Sequence, residues 1–119
     1  MCTKSLVLAV LPMGMNYYWK IQVQSPCEYL LFHIGKSCAG WRFALHVDPE
    51  GGISGLEDWI ELWTRTPGLI VDEYDRVFTP EKILKIITNR PPESMVWKDD
   101  DYVVSHGPGP WDCLIGDFA

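Results

Sequence analysis

Two cysteines and two histidines fall close together in the first half of the chain: Cys27, His33, Cys38 and His46. Thiolate and imidazole suit tetrahedral zinc, so these four are the candidate metal ligands and zinc the candidate cofactor. Their spacing lacks a Cys-x-x-Cys knuckle, and strand alternation sends some of the four to opposite faces. Through them runs Gly35-Lys36-Ser37-Cys38-Ala39-Gly40-Trp41. Gly-Lys-Ser invites a phosphate-loop reading, but that loop needs glycines ahead of the lysine so that N–H groups wrap the phosphates. Here the lead-in is Leu30-Leu31-Phe32-His33-Ile34. A weaker idea survives, an anion nest in which Lys36 and Ser37 help hold a phosphate or carboxylate. A glycine-rich strand connection is the plainer reading. His33, His46 and His106 can each take or give a proton near neutral pH. Asp72-Glu73 and Asp99-Asp100-Asp101 are acidic turns, suited to water, a cation or a basic surface. Catalytic sets are defined in space rather than by spacing, and none can be assembled here; the expectation leans away from an enzyme.

Elements must position these groups. Residues 16–23 are aromatic and then alternate, which predicts a strand. Residues 28–34 predict a second, closing at Gly35. Residues 41–47 predict a third, with Trp41, Phe43, Leu45 and Val47 on one face and Arg42, Ala44 and His46 on the other. Short links make these three an antiparallel meander. Ser54-Gly55-Leu56-Glu57 has the form of a capping box. Leu56, Trp59, Ile60 and Trp63 then recur at helical spacing until Pro67-Gly68. Residues 69–71 predict a short strand, 72–75 a turn and 76–78 its return. Thr79-Pro80-Glu81 opens a second helix, with Ile83, Leu84 and Ile87 as its core stripe. Strands around 95–97, 102–104 and 111–118 complete the chain. The expected fold is α+β, an antiparallel sheet with two amphipathic helices packed on it.

The 119 residues suit one domain, and 47% hydrophobic content with six tryptophans supplies a core. A formal charge of −6 argues against direct nucleic-acid binding, which relies on lysine and arginine. It permits a partner with a basic surface. The apolar residues 6–11 are too short a run to span a bilayer, so no membrane role is expected. Four irregularly spaced cysteines read as reduced thiols in a cytosolic setting.

Met13-Gly14-Met15-Asn16-Tyr17-Tyr18, the string from His33 to Trp41, Asp58-Trp59, Asp72-Glu73-Tyr74-Asp75 and Trp111-Asp112 together carry a resemblance. The chain resembles a set of small proteins encoded by bacteriophages and prophages. Those begin near Met-Gly-x-Asn-Tyr-Tyr and contain His-Ile-Gly-Lys-Ser-Ser-x-Gly-Trp. The resemblance implies that residues 1–12 are an N-terminal extension or alternative start and that 13–119 form the domain. It also implies a Cys-x-x-Cys pair ahead of the histidine string, where this chain has only Cys27. Cys38 in place of Ser and Asp75 in place of Gly are further departures. The implied function is that of a phage accessory protein in the host cytoplasm, binding and modulating a host protein such as a nucleic-acid-binding defence complex (an anti-CRISPR-like role). The binding candidates are His33, Lys36, Ser37, Trp41, Asp72, Glu73, Asp99, Asp100 and Asp101. The alternative is a small-ligand or zinc-binding protein, with enzymatic activity open, whose site surrounds residues 33–41.

Overall fold

The computed structural model describes residues 14–23, 28–97, 103–106 and 109–115, the segment 103–106 by its backbone alone. Strands β1 (Met15–Gln22), β2 (Tyr29–Ser37) and β3 (Phe43–His46) come first. Helix α1 (Leu56–Arg65), strands β4 (Leu69–Asp72) and β5 (Val77–Phe78), helix α2 (Pro80–Thr88), and strands β6 (Val103–His106) and β7 (Trp111–Leu114) follow. They form one seven-stranded sheet in the order β5-β4-β1-β2-β3-β7-β6. The α+β class holds, and β1-β2-β3 are neighbours as a meander requires. The sheet is mixed rather than antiparallel, however, because β7 runs parallel to β3, pairing Phe43 with Trp111 and His46 with Leu114. The reason is topological. The chain reaches β7 after both helices, and such a long connection can return a strand in either direction.

Tyr17, Trp19, Ile34, Phe43, Leu45 and Ile70 share one buried cluster with Leu56, Trp59 and Trp63 of α1 and Ile83 and Ile87 of α2. Burial on this scale stabilises at about 25 cal/mol per Å² of apolar surface removed from water. Helix α2 starts as its sequence dictates, with Thr79 Oγ1 accepting from Lys82 N at 3.1 Å and Pro80 at the first helical position. Helix α1 does not. Its cap is Gly55, with no side-chain cap bond, and the capping box is displaced by one residue: Ser54 N donates to Asp58 Oδ2 at 2.8 Å. The first turn keeps its acidic pair, Glu57 and Asp58, against the helix dipole.

Two details shape the surroundings of His33. In the β1–β2 ladder Tyr17 faces Gly35 while Tyr18 faces His33, so Ile34 is the extra residue of a bulge. Ile34 turns into the core at 0% exposure. Strand β3 meets β2 only at Gly35 and Lys36. Gly35 makes that contact possible, since a Cβ there would stand 2.3 Å from Ala44 O. The expected strand at 95–97 is an isolated bridge from Met95 to Trp41, and its backbone is held by Asp112, whose Oδ2 accepts from Trp97 N at 2.8 Å.

Candidate functional site

Alternation along β1 puts Asn16 and Tyr18 on one face, and the bulge brings His33 onto them. His33 Nε2 lies 2.8 Å from Asn16 Oδ1, and its ring centroid 5.5 Å from that of Tyr18. Across the divergence of β2 and β3, His33 Nδ1 lies 3.1 Å from His46 Nδ1. Asn16 is completely buried, and both its backbone N and its Nδ2 donate to Glu73 Oε1 at 2.8 Å. A continuous chain thus runs from Glu73 through Asn16 and His33 to His46. Trp59 of α1 holds the far end, its Nε1 donating to His46 O at 2.7 Å.

Proton placement along this chain follows from the inventory of donors. The Glu73 carboxylate only accepts, so the Asn16 amide must turn its NH2 to Glu73 and its oxygen to His33. His33 Nε2 therefore carries a proton. Burial first, then the charges of His46 and Lys36, push the His33 pKa down to about 3 against the opposing pull of Glu73. The ring is neutral at pH 7, its Nδ1 is a lone pair, and His46 Nδ1–H donates to it.

Beside this pair opens a pocket of about 500 Å³. It lies where β2 continues past the end of the β3 ladder, closed on the far side by α1 and the loop around residues 48–53. Trp19, Phe32 and Trp59 are its aromatic walls, and His33, His46 and Asp48 its polar lining. The size and the ratio of apolar wall to polar groups match small-molecule sites. Asp48 is exposed at the pocket's edge, its Oδ2 beside Gly51, where a Cβ would meet it at 2.5 Å.

The other sequence candidates are scattered. Lys36 is buried at 4% exposure and stands opposite Asn16 in the ladder. Ser37 and the connection after it are clamped by Arg90, which donates to Ser37 Oγ (3.0 Å), Cys38 O (2.7 Å) and Trp41 O (2.8 Å from Nη2). The connection thus turns carbonyl oxygens toward a cation, the opposite polarity to an anion nest. Trp41 stacks on Trp97 with centroids 4.6 Å apart. Asp72 is buried within its own turn, accepting from Tyr74 N, Arg76 N and, at 2.6 Å, Arg76 Nε. Burial works to raise its pKa, but the bonds from Arg76 and Tyr74 outweigh that and hold the carboxyl below its ordinary range. Glu73 is engaged by Asn16. Asp99, Asp100 and Asp101 lie outside the described residues, as do Cys27 and residues 1–12.

Of the proposed zinc ligands that lie among the described residues, His33 and His46 come together, each with Nδ1 engaged by the other. Cys38 is disulfide-bonded, to a partner outside the described residues, and so has no thiolate to offer. Among the described residues no group of three or more His, Cys, Asp or Glu is placed to hold a metal ion. The disulfide also corrects the reading of all four cysteines as reduced. Bridging depends on Cα atoms meeting in space, which irregular spacing does not report. Cys113 is a buried thiol. Among the described residues no helix is long and apolar enough to cross a membrane.

Sequence reasoning missed Asn16, Asp48, Trp59 and Arg90. Asn16 had a signal: a polar amide within an aromatic strand runs against strand preference and calls for a partner. Arg90 had none, since its partners lie about 50 residues away. No family model, no curated protein and no solved structure matches this chain.

Proposed function

We propose that this protein binds a small, mostly apolar molecule in the pocket between β2, the end of β3 and α1, with a polar group of the ligand meeting the His33–His46 pair. The observation that carries this reading is the pocket itself: about 500 Å³, aromatic-walled, with two members of a hydrogen-bond chain, His33 and His46, at its lining. Buried chains of this kind hold a polar group in one orientation and one protonation state, as ligand recognition needs. A fragment screen by ligand-observed NMR tests it. Apolar fragments should bind the wild type and lose binding to Ile53→Trp, which fills the pocket from its rim. Fragments that bind both forms alike, or none at all, would refute the reading.

One observation favours a second reading, the phage accessory protein that engages a host protein. Tyr29, Leu30, Leu31 and Phe32 are consecutive and 45–50% exposed. An apolar strand segment this open is a common interface anchor. The host cytoplasm and a defence-complex partner belong to this reading. Candidate host complexes added to the purified chain should co-elute with it and release Leu30→Glu; co-elution indifferent to that change would remove this surface from consideration.

A further inference from the structure

The pocket does not end at its own walls, and the inference drawn from its surroundings rests on the second reading above, in which Tyr29–Phe32 engage a protein. Ile53 and Leu62 line it and also line a smaller hollow of about 210 Å³ with Asp58, Glu61 and Arg65, so the two form one groove. One bank of that groove is a strand edge. On one side β2 pairs with β1 along its length, but on the other β3 pairs only with Gly35 and Lys36. Among the described residues no strand covers Tyr29–His33 on that side. Every second residue of a strand turns its N–H and C=O to the same side, so this edge presents a row of backbone donors and acceptors about 17 Å long.

Native sheet edges are blunted by short length, lysine or proline. The edge at β5 follows that rule, with only Val77 and Phe78. The β2 edge does the reverse: Tyr29, Leu30, Leu31 and Phe32 carry no charge and are 45–50% exposed. Its chemistry is that of a template for one more strand. The opposite bank says what kind of strand. Asp48 lies across the pocket from Leu31 and Phe32, Glu50 is exposed in the turn that follows it, and Asp58 and Glu61 continue along α1. The base among them, Arg65, lies 3.4 Å from Glu61 in an exposed ion pair. Lys20 stands over the Tyr29 ring but is bonded to Asp75 at 3.1 Å. The rim is acidic, and opposite charge on a partner complements it.

We infer that this groove takes an extended segment of another protein. The segment adds to β2 as a strand along Tyr29–His33 and sets an apolar side chain into the pocket. It carries lysine or arginine where it passes Asp48, Asp58 and Glu61. Main-chain pairing supplies affinity, while the pocket and the rim select side chains.

Random peptides of roughly ten residues, displayed against the full chain, provide the probe. Enriched peptides should join apolar residues to lysine or arginine. Added to 15N-labelled protein at saturation, such a peptide should slow amide exchange at alternate residues of Tyr29–His33 by at least about tenfold. N-methylation of alternate peptide amides should weaken binding roughly tenfold on one edge of the peptide and little on the other. Glutamate in place of its basic residues should weaken binding by about threefold to tenfold, an effect that fades in high salt. Leu30→Glu, with its fold checked by circular dichroism, should abolish binding. Peptides lost with Leu30→Glu but indifferent to N-methylation, or enriched in acidic residues, would overturn strand addition and leave the surface reading standing. Peptides that bind Leu30→Glu unchanged would overturn both. No enrichment at all would overturn strand addition.

Discussion

Acid should unfold this protein earlier than its carboxylates alone require, and His33 is the reason. In the unfolded chain an imidazole titrates near its ordinary 6.5, whereas in the fold His33 is held down to about 3. Between those values the unfolded chain binds a proton that the folded chain refuses. The stability His33 permits is fully present above pH 6.5 and drains away as pH falls toward 3. At pH 4.5 the unfolded ring sits two units below its own value, and at about 1.4 kcal/mol per unit the loss approaches ~2.7 kcal/mol relative to pH 7.5. The figure depends on the unfolded value and hardly on the folded one, provided the latter stays below about 4. Partial exposure of the ring makes about 2 kcal/mol a fair expectation. Asp72 does not confuse the measurement, because its carboxyl is held below the ordinary range and its contribution is lost only as pH falls past its unfolded value of 3.8. Urea unfolding of the wild type and of His33→Gln at pH 7.5 and 4.5 provides the assay. Glutamine can still donate to Asn16 but cannot take up a proton in the unfolded chain. The wild type should lose about 2 kcal/mol more than the variant across this interval. Equal losses, or a ring 15N spectrum showing His33 protonated at pH 5, would refute the assigned chain of donors.

Three further substitutions read the frame around the site. Gly35→Ala should cost more than about 3 kcal/mol or prevent folding, measured by thermal melting, because the new methyl would stand 2.3 Å from Ala44 O and 2.4 Å from the Phe43 ring. Arg90→Lys should cost about 2 kcal/mol in urea unfolding despite keeping the charge, since an ammonium cannot span Ser37, Cys38 and Trp41 as the guanidinium does. Asp75 has φ +63, a conformation costly for a side chain. Asp75→Gly should raise stability by about 0.5–1 kcal/mol, because the 3.1 Å bond it gives up to Lys20 is exposed and worth little; a clear drop in melting temperature would show the bond to matter more than the backbone.

What the sequence reveals here is whatever is local. The stripes of α1 and α2, the cap at Thr79, the turn at 72–75 and the three-strand meander follow from periodicity and turn chemistry within a few residues. The parallel return of β7 does not, because nothing in residues 111–114 records which edge of the sheet they reach. The histidine pair was half legible. His33 and His46 stood out as residue types, yet their contact depends on a bulge at Ile34 that no pattern announces. The string 35–41 looked like chemistry and proved to be architecture, with Gly35 a close approach, Ser37 an anchor for Arg90 and Trp41 a stacking partner of Trp97.

That exchange of roles bears on where function lies. Apolar residues of similar size at Asn16 and His33 would continue the buried strand pattern without the desolvation that a buried amide and imidazole incur, and buried polar chains are often neutral or costly for stability. The chain instead carries Asn16 at no exposure, bonded twice to one carboxylate and facing an imidazole that burial keeps neutral. Arg90 and Asp72 spend their charges on loops that would otherwise leave carbonyl and amide groups unsatisfied, which stability alone explains. The Glu73–His46 chain satisfies the buried backbone amide of Asn16 in the same way, and beyond it reaches two rings that line a cavity. Polar residues at Asn16 and His33, where the strand pattern asks for apolar ones, break a local rule, and rules broken in this way are the reason the proposed ligand site is sought there.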